Sequence, residues 1–170
     1  MIDDLQRLRN KLCRELAQSE HDAVIHTARE ARRLGDTPPA AALRAITAHA
    51  REMEPSVDQL LADQPVGRAL GRAVAQTFST LRHLFFDRLI DAERSFRGTL
   101  LGLRHGVDCV RLLREVGVYA NDVALMRWCD QYLLERLSLL EQAEQTLAWF
   151  AERPSRALQS GLVVALQAGK

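Results

Sequence analysis

Prolines and glycines divide this chain into long segments, and within each segment apolar residues recur every three or four positions. Residues 2–34 carry such a stripe, which stops at Gly35, and the following sequence "GDTPP" predicts a turn. Thr37 is suited to cap the next helix, with Pro38 as its first residue. Since no segment shows the alternation typical of a strand, the pattern predicts an all-α protein.

Two of the predicted helical segments need an interruption. The helix that begins at Pro38 contains Pro55, which removes one backbone hydrogen bond, so we expect a kink or a restart near Glu54. No proline interrupts residues 66–118, but a single helix there would span roughly 75 Å, too long for a domain of this size. We therefore expect a break within "FFDRLID", residues 85–91.

The last long helix begins after "YAND", with Asn121 or Asp122 as its cap, and ends before Pro154. The predicted helices span residues 2–34, 38–63, 66–90, 92–117 and 122–153. They form one domain, residues 1–153, followed by a tail or short helix, residues 154–170. Tight turns join the first helix to the second and the fourth to the fifth, so each pair is antiparallel. Residues 66–90 are then a helical crossover between two hairpins.

This arrangement resembles the ferritin-like superfamily, and it is most similar to small bacterial ferritin-like families of unknown or stress-related function. The resemblance covers roughly residues 5–152. It rests on the tandem hairpins, on "GRALGRAVAQTF" in the connecting segment and on "DAERSFRGTLLGLRHGVD" at the third long helix. It implies a four-helix bundle that self-associates, so we expect a homo-oligomer.

The charge balance and the cysteines limit the partners and the compartment. With 23 basic and 22 acidic residues the net charge is +1, so we expect no nucleic-acid partner. The first residues, "MIDDLQRLRNKL", lack the apolar core of a signal peptide, and no run is long enough to cross a membrane. Because the three cysteines form no CxxC pair, we expect buried thiols in a cytoplasmic protein.

Four glutamates lie at levels where ferritin-like proteins hold two metals. Such proteins carry one Glu on each of two helices and a Glu-x-x-His on each of the other two. Antiparallel hairpins place Glu20 level with Glu54 and Glu93 level with Glu144, so four carboxylates would meet across the bundle. However, valine and leucine stand where the two histidines belong. The favoured interpretation is therefore four glutamates at the surface or at the bundle edge.

The histidines offer a second candidate metal site. His26 and Glu30 lie four residues apart on one helix face, and His49 lies about one turn from His21 and His26 across the first hairpin. These four residues form an imaginable transition-metal site. The alternative is that they form ordinary side-chain pairs at helix edges. We therefore expect no cofactor, with a transition metal at this site as the alternative.

No motif indicates an enzyme. The chain has no P-loop, no GxGxxG after a strand and no GxSxG elbow. Cys109 and His105 are neighbours on one helix, and a thiol–imidazole pair of this kind is sometimes reactive. Nothing orients the imidazole except Asp108, which points to another side. We therefore expect a non-enzymatic protein.

Three glycines four residues apart favour close helix packing. Gly98, Gly102 and Gly106 follow the inward face of the predicted third long helix, where a side chain such as Tyr132 of the next helix would approach closely. Leucine at residue 102 or 106 is predicted to overpack the core.

The end of the connecting segment is apolar on more than one side. An amphipathic helix that packs on one bundle needs a single apolar face, and this segment has more large apolar side chains than one face holds: Phe85, Phe86, Leu89 and Ile90. These residues are therefore either sandwiched between the hairpins or in contact with a second subunit. We therefore predict a helical bundle that acts through self-assembly or an unidentified protein partner. The alternative is a metal-binding ferritin-like protein with a non-standard site of histidines and carboxylates.

Overall fold

A computed structural model of the protein describes residues 2–62 and 90–160, and these residues fold almost entirely into helices. The prediction of an all-α protein is confirmed for this part of the chain. It contains no β-strand, and its one β-type pairing is an isolated bridge between Asp91 and Ser160. The helices are α1 (Ile2–Leu34), α2 (Pro38–Ala62), α3 (Ala92–Ala120), α4 (Val123–Gln145), α5 (Leu147–Glu152) and α6 (Pro154–Ala157). The predicted helix 66–90 lies outside the described residues, apart from Ile90.

The turn between α1 and α2 follows the predicted chemistry. Gly35 has a φ of +72°, a left-handed conformation that glycine adopts without a steric penalty, and its N–H donates to the carbonyl of Ala31. The Thr37 hydroxyl accepts a hydrogen bond from the backbone N–H of Ala40 at 3.4 Å. The chain therefore reverses within three residues, and α2 returns along α1.

The second turn uses an asparagine in the same conformation. Asn121 has a φ of 54°, which asparagine tolerates better than most residues, and it ends α3. Asp122 is the cap of α4, because its Oδ1 accepts from the backbone N–H of Leu125 at 3.0 Å.

Three predicted helix features differ from the structure, and the first is the end of α3, which lies at Ala120 and not at residue 117. The helix α2 continues through Pro55 to Ala62, so the chain does not restart there. The predicted helix 122–153 is divided at Thr146, whose hydroxyl donates to the carbonyl of Ala143 at 2.6 Å. This side-chain hydrogen bond competes with the regular backbone hydrogen bonds of an α-helix. The helix α4 therefore ends before Thr146, and α5 begins at the next residue, Leu147.

Each long helix packs against two others. The helix α1 contacts α2 and α3, and α4 contacts α3 and α2, so α1 and α4 lie on one diagonal of the bundle. Thr27 of α1 meets Thr47 of α2 at 2.6 Å, and Ser95 near the start of α3 meets Glu30 near the end of α1. The neighbouring helices are thus antiparallel, so α2 ends beside the first turns of α1, whereas α3 begins beside its last turns.

The core consists of two hydrophobic clusters, one toward each end of the bundle. The first, here the Phe96 cluster, includes Leu43, Ile46, Phe96, Leu140 and Phe150. The second, the Leu113 cluster, includes Leu16, Val57, Val110, Leu113 and Cys129. Polar side chains lie at the level between them, and these are the first candidates for a functional site.

Candidate functional site

A buried ion pair links the diagonal helices α1 and α4 between the two clusters. Glu20 and Arg136 are 2% and 1% exposed, and Arg136 Nη2 donates to Glu20 Oε2 at 2.5 Å. The hydroxyl of Tyr132 donates to the other carboxylate oxygen at 2.6 Å, and the Arg136 guanidinium lies 5.2 Å from the Tyr132 ring centroid. Both oxygens of the carboxylate therefore have a donor, as a buried charge requires.

Burial dominates the electrostatics of this layer. It raises the pKa of Glu20 despite the opposing attraction of Arg136 and the hydrogen bond from Tyr132. It also raises the pKa of Tyr132, which keeps the phenol protonated and able to donate. An arginine stays charged at any ordinary pH, so the layer holds a permanent buried cation.

His49 of α2 completes the layer on its other side. Its ring packs edge-on against Tyr132 with centroids 5.8 Å apart, and its Nε2 lies 3.3 Å from Glu135 Oε2. Burial and the nearby Arg136 lower the pKa of His49, so the ring is neutral at pH 7. Within the described part of the chain, neither ring nitrogen has a hydrogen-bond partner of good geometry.

The four glutamates predicted at ferritin-like levels do not converge. Glu20 is in the core, contrary to the expectation that it lies at the surface or an edge, and its partner there is Arg136. Glu54 is exposed, whereas Glu93 pairs with Arg97 at 2.7 Å and Glu144 pairs with Arg104 at 2.8 Å. A cation supplied by the chain itself thus occupies the centre of the bundle.

The predicted histidine set is distributed over two faces of the first hairpin. His26 and Glu30 line a groove between α1 and α3, His49 faces α4, and His21 is half-buried on α1. Within residues 2–62 and 90–160, these four do not form a group whose possible ligand atoms lie close together. The direction of the His49 side chain depends on packing against α4, which helical spacing within the first hairpin does not determine.

A groove of about 920 Å³ runs between α1 and α3. Gly98 and Gly102 line it, and a Cβ built on either glycine meets no atom of the described residues within 4 Å. The expected close packing against the next helix, α4, is therefore wrong at these two positions. At Gly106 a Cβ lies 2.5 Å from Ser19 Oγ and 4.0 Å from the Tyr132 hydroxyl. The buried face of α3 instead follows the larger residues Phe96, Leu100, Leu103 and Val107.

Polar contacts hold one end of the groove. Ser95 Oγ donates to Glu30 Oε2 at 2.8 Å, and Arg33 Nη2 donates to the carbonyl of Ile90 at 3.0 Å. Of the four residues predicted as an interface, Ile90 is therefore half-buried and fixed by α1. Phe85, Phe86 and Leu89 lie outside the described residues.

Farther along α1 and α3, three side chains of metal-binding type come together. The possible ligand atoms of Glu15, His105 and Cys109 lie within 4.8 Å of one another. Among the described residues, no other group of three or more histidine, cysteine, aspartate or glutamate side chains comes this close together. Cys109 Sγ is 3.9 Å from Glu15 Oε2 and 3.8 Å from His105 Nε2. The sequence indicates the pairing of His105 with Cys109 and the approach of Tyr132 to Gly106. It does not indicate Glu15, Arg136 or the hydrogen bond from Tyr132 to Glu20.

Comparison with family models, with characterised proteins and with solved structures finds no match for this chain. No helix in the described ranges is both long enough and apolar enough to cross a membrane.

Proposed function

We propose that this protein is a ferritin-like four-helix bundle of the cytoplasm that acts without catalysis, by pairing with a second copy of itself. The observation that carries the proposal is an apolar stripe on the exposed face of α3. The antiparallel neighbours α1 with α2 and α3 with α4 support the ferritin-like assignment, as does the separation of the end of α2 from the start of α3. None of the three cysteines forms a disulfide, which suits a reducing compartment.

The stripe consists of Leu101, Leu112 and Tyr119. Leu101 is 68% exposed and Tyr119 is 81% exposed, while Leu112 is 46% exposed. Because they are separated by eleven and seven residues, their directions around the helix agree within about 20°. Isolated exposed apolar residues are ordinary, whereas these three share one helix face, with the exposed Asp108 between Leu101 and Leu112. This shared face is the surface that we propose packs against another helix.

Charges beside the stripe favour an antiparallel second copy as its occupant. Arg97 and Arg104 lie in the first half of the stripe, and Asp108 and Glu115 lie in the second half. At 100° per residue, Arg97, Arg104 and Glu115 point about 40–60° from Leu101 toward α4, whereas Asp108 points only about 20° away and so lies within the stripe itself. A twofold axis at the level of Gly106 brings Arg97 of one copy to Glu115 of the other, and Arg104 to Asp108. It also brings Leu101 of one copy level with Leu112 of the other. Opposite charges thus meet across a self-complementary interface.

Leu112→Glu is expected to weaken self-association by at least about tenfold, since an unpaired charge at the interface costs more than about 1.4 kcal/mol. Sedimentation velocity over a concentration series measures the effect. Leu134→Glu is the matched control, because Leu134 is 70% exposed on α4 and lies off the stripe. A wild-type chain that stays monomeric throughout the series refutes the proposal, as does an equal loss in both variants.

Charge reversal tests the antiparallel geometry separately. Arg97→Glu is expected to weaken the dimer by placing like charges opposite each other, and adding Glu115→Arg to the same chain is expected to restore it. Restoration fails if the stripe binds in another register or another direction.

A further inference from the structure

We propose that Glu15, His105 and Cys109 bind a divalent metal ion of the zinc type between α1 and α3. The inference does not rest on the proposed self-association, because all three residues belong to one copy of the chain. None of them belongs to the predicted metal sets.

The distances suit a single ion. In a tetrahedral zinc site, metal–ligand bonds of about 2.0–2.3 Å separate a sulfur from a nitrogen or oxygen ligand by roughly 3.6 Å. Cys109 Sγ lies 3.8 Å from His105 Nε2 and 3.9 Å from Glu15 Oε2. Side-chain rotations of a few tenths of an ångström therefore bring the sulfur to the right separation from each partner. The ligand atoms of Glu15 and His105, which lie within 4.8 Å of each other, must also approach as the ion binds.

The ligand types select the class of metal. Thiolate and imidazole favour zinc and similar transition metals, whereas calcium and magnesium prefer oxygen ligands alone. His105 and Cys109 are four residues apart and so project from the same face of α3. Three protein ligands leave a fourth tetrahedral position for water or an added ligand. His105 and Glu15 also line the groove between α1 and α3, so the proposed ion would lie at the wall of that groove.

The carboxylates of Glu15 and Asp108 place negative charge near the Cys109 sulfur, which favours a bound cation. The other polar groups near the sulfur are Lys11 on α1, His105 on α3 and Tyr132 on α4. On binding, the S–H bond breaks, its proton passes to solvent and the sulfur–metal bond forms. Lys11 lies 3.5 Å from Glu15 Oε1 and is exposed, so it moves away at little cost.

Cobalt titration of untagged protein tests the site. Co²⁺ bound by a thiolate gives a sulfur-to-metal charge-transfer band in the near ultraviolet, and Zn²⁺ is expected to abolish the band by displacing cobalt. Cys109→Ala is expected to remove the band, whereas Cys129→Ala, which also removes a buried sulfur, is expected to retain it. His105→Gln is expected to weaken binding by about tenfold or more, in line with loss of a metal ligand, and His21→Gln is expected to leave it unchanged.

Several outcomes overturn the assignment. They are the absence of the band in wild-type protein, its persistence in Cys109→Ala, and unchanged affinity in both His105→Gln and Glu15→Gln. Circular dichroism of each metal-free variant identifies any loss that arises from misfolding, and Glu15→Gln and His105→Gln alter side chains that are not fully buried. Leu112→Glu is expected to keep the band, so failure of the self-association proposal and failure of the metal site are distinguishable.

Discussion

Arg136→Met is expected to lower the free energy of unfolding by about 3–5 kcal/mol at pH 7, the usual cost of removing one partner from a buried ion pair. The substitution keeps much of the side-chain volume but leaves the Glu20 carboxylate buried with Tyr132 as its remaining donor in the layer. Urea unfolding followed by circular dichroism measures the change. A difference below about 1 kcal/mol would mean that water reaches Glu20 and that the layer is not closed.

The pH dependence of this variant has a definite sign. Burial raises the pKa of Glu20 in the folded protein, and loss of Arg136 raises that pKa further, because Arg136 acts to lower it. A folded-state pKa above the unfolded value stabilises the protein at low pH, and that stability is lost as the pH rises through the folded pKa. The deficit of Arg136→Met relative to wild type is therefore expected to shrink between pH 7 and pH 5.

A double variant separates the ion pair from packing. Glu20→Leu combined with Arg136→Met removes both charges and is expected to be more stable than Arg136→Met alone, since no buried charge is left without a partner. If the double variant is as unstable as the sum of the two single variants, the residues contribute through shape and not through their charges.

Gly106→Leu is expected to destabilise the protein by about 1–3 kcal/mol or more, the range for overpacking. Even a Cβ there lies 2.5 Å from Ser19 Oγ, and the rest of a leucine side chain must displace α1 or Tyr132. Gly102→Leu is the matched control on the same helix, because a Cβ at Gly102 meets no atom of residues 2–62 or 90–160 within 4 Å. That control is expected to gain up to about 1 kcal/mol from helix propensity. Thermal unfolding of the two variants should therefore shift in opposite directions.

Ser19→Ala provides a check on the cause. Removing the Ser19 hydroxyl is expected to recover part of the loss in Gly106→Leu, because that oxygen is the nearest obstacle. Equal stability of Gly106→Leu and Gly102→Leu would contradict the contact between α1 and α3 at this level.

The helices and turns could be predicted because their causes are local. Gly35, Thr37 and Asp122 act within a few residues of their own positions, and the structure uses each as the sequence indicates. Thr146 was harder to foresee, because a threonine inside a helix bonds to its own backbone only in some contexts.

The polar layer could not be predicted from apolar spacing alone. Arg136 occupies the buried face of α4 with Leu125, Cys129, Tyr132 and Leu140, at the spacing of a helical stripe. Leu133 and Leu137 also follow helical spacing on this helix and contain no charge, yet Leu137 is exposed and Arg136 is buried. The sequence signal for this buried arginine is a run of residues at unbroken helical spacing in which one charged residue stands among apolar ones.

Contacts between distant helices depend on register, which spacing does not determine. Glu15 and Cys109 are separated by 94 positions, and their meeting depends on how far α1 slides along α3. The rotation of a helix about its own axis is equally hard to predict from spacing. A rotation of a few tens of degrees decides whether Gly98 and Gly102 face the core or the groove.

The division of the core also gives each half of the bundle its own optical reporter. The chain has two tryptophans: Trp149 packs against the Phe96 cluster and Trp128 packs against the Leu113 cluster. Cooperative units of folding often coincide with such contiguous clusters, and each unit opens with its own free energy. Fluorescence from a chain retaining only Trp128, or only Trp149, therefore follows the melting of one half independently. Coincident transitions would mean that the two clusters unfold as one cooperative unit, coupled through the charged layer and through Leu133, which packs against both clusters.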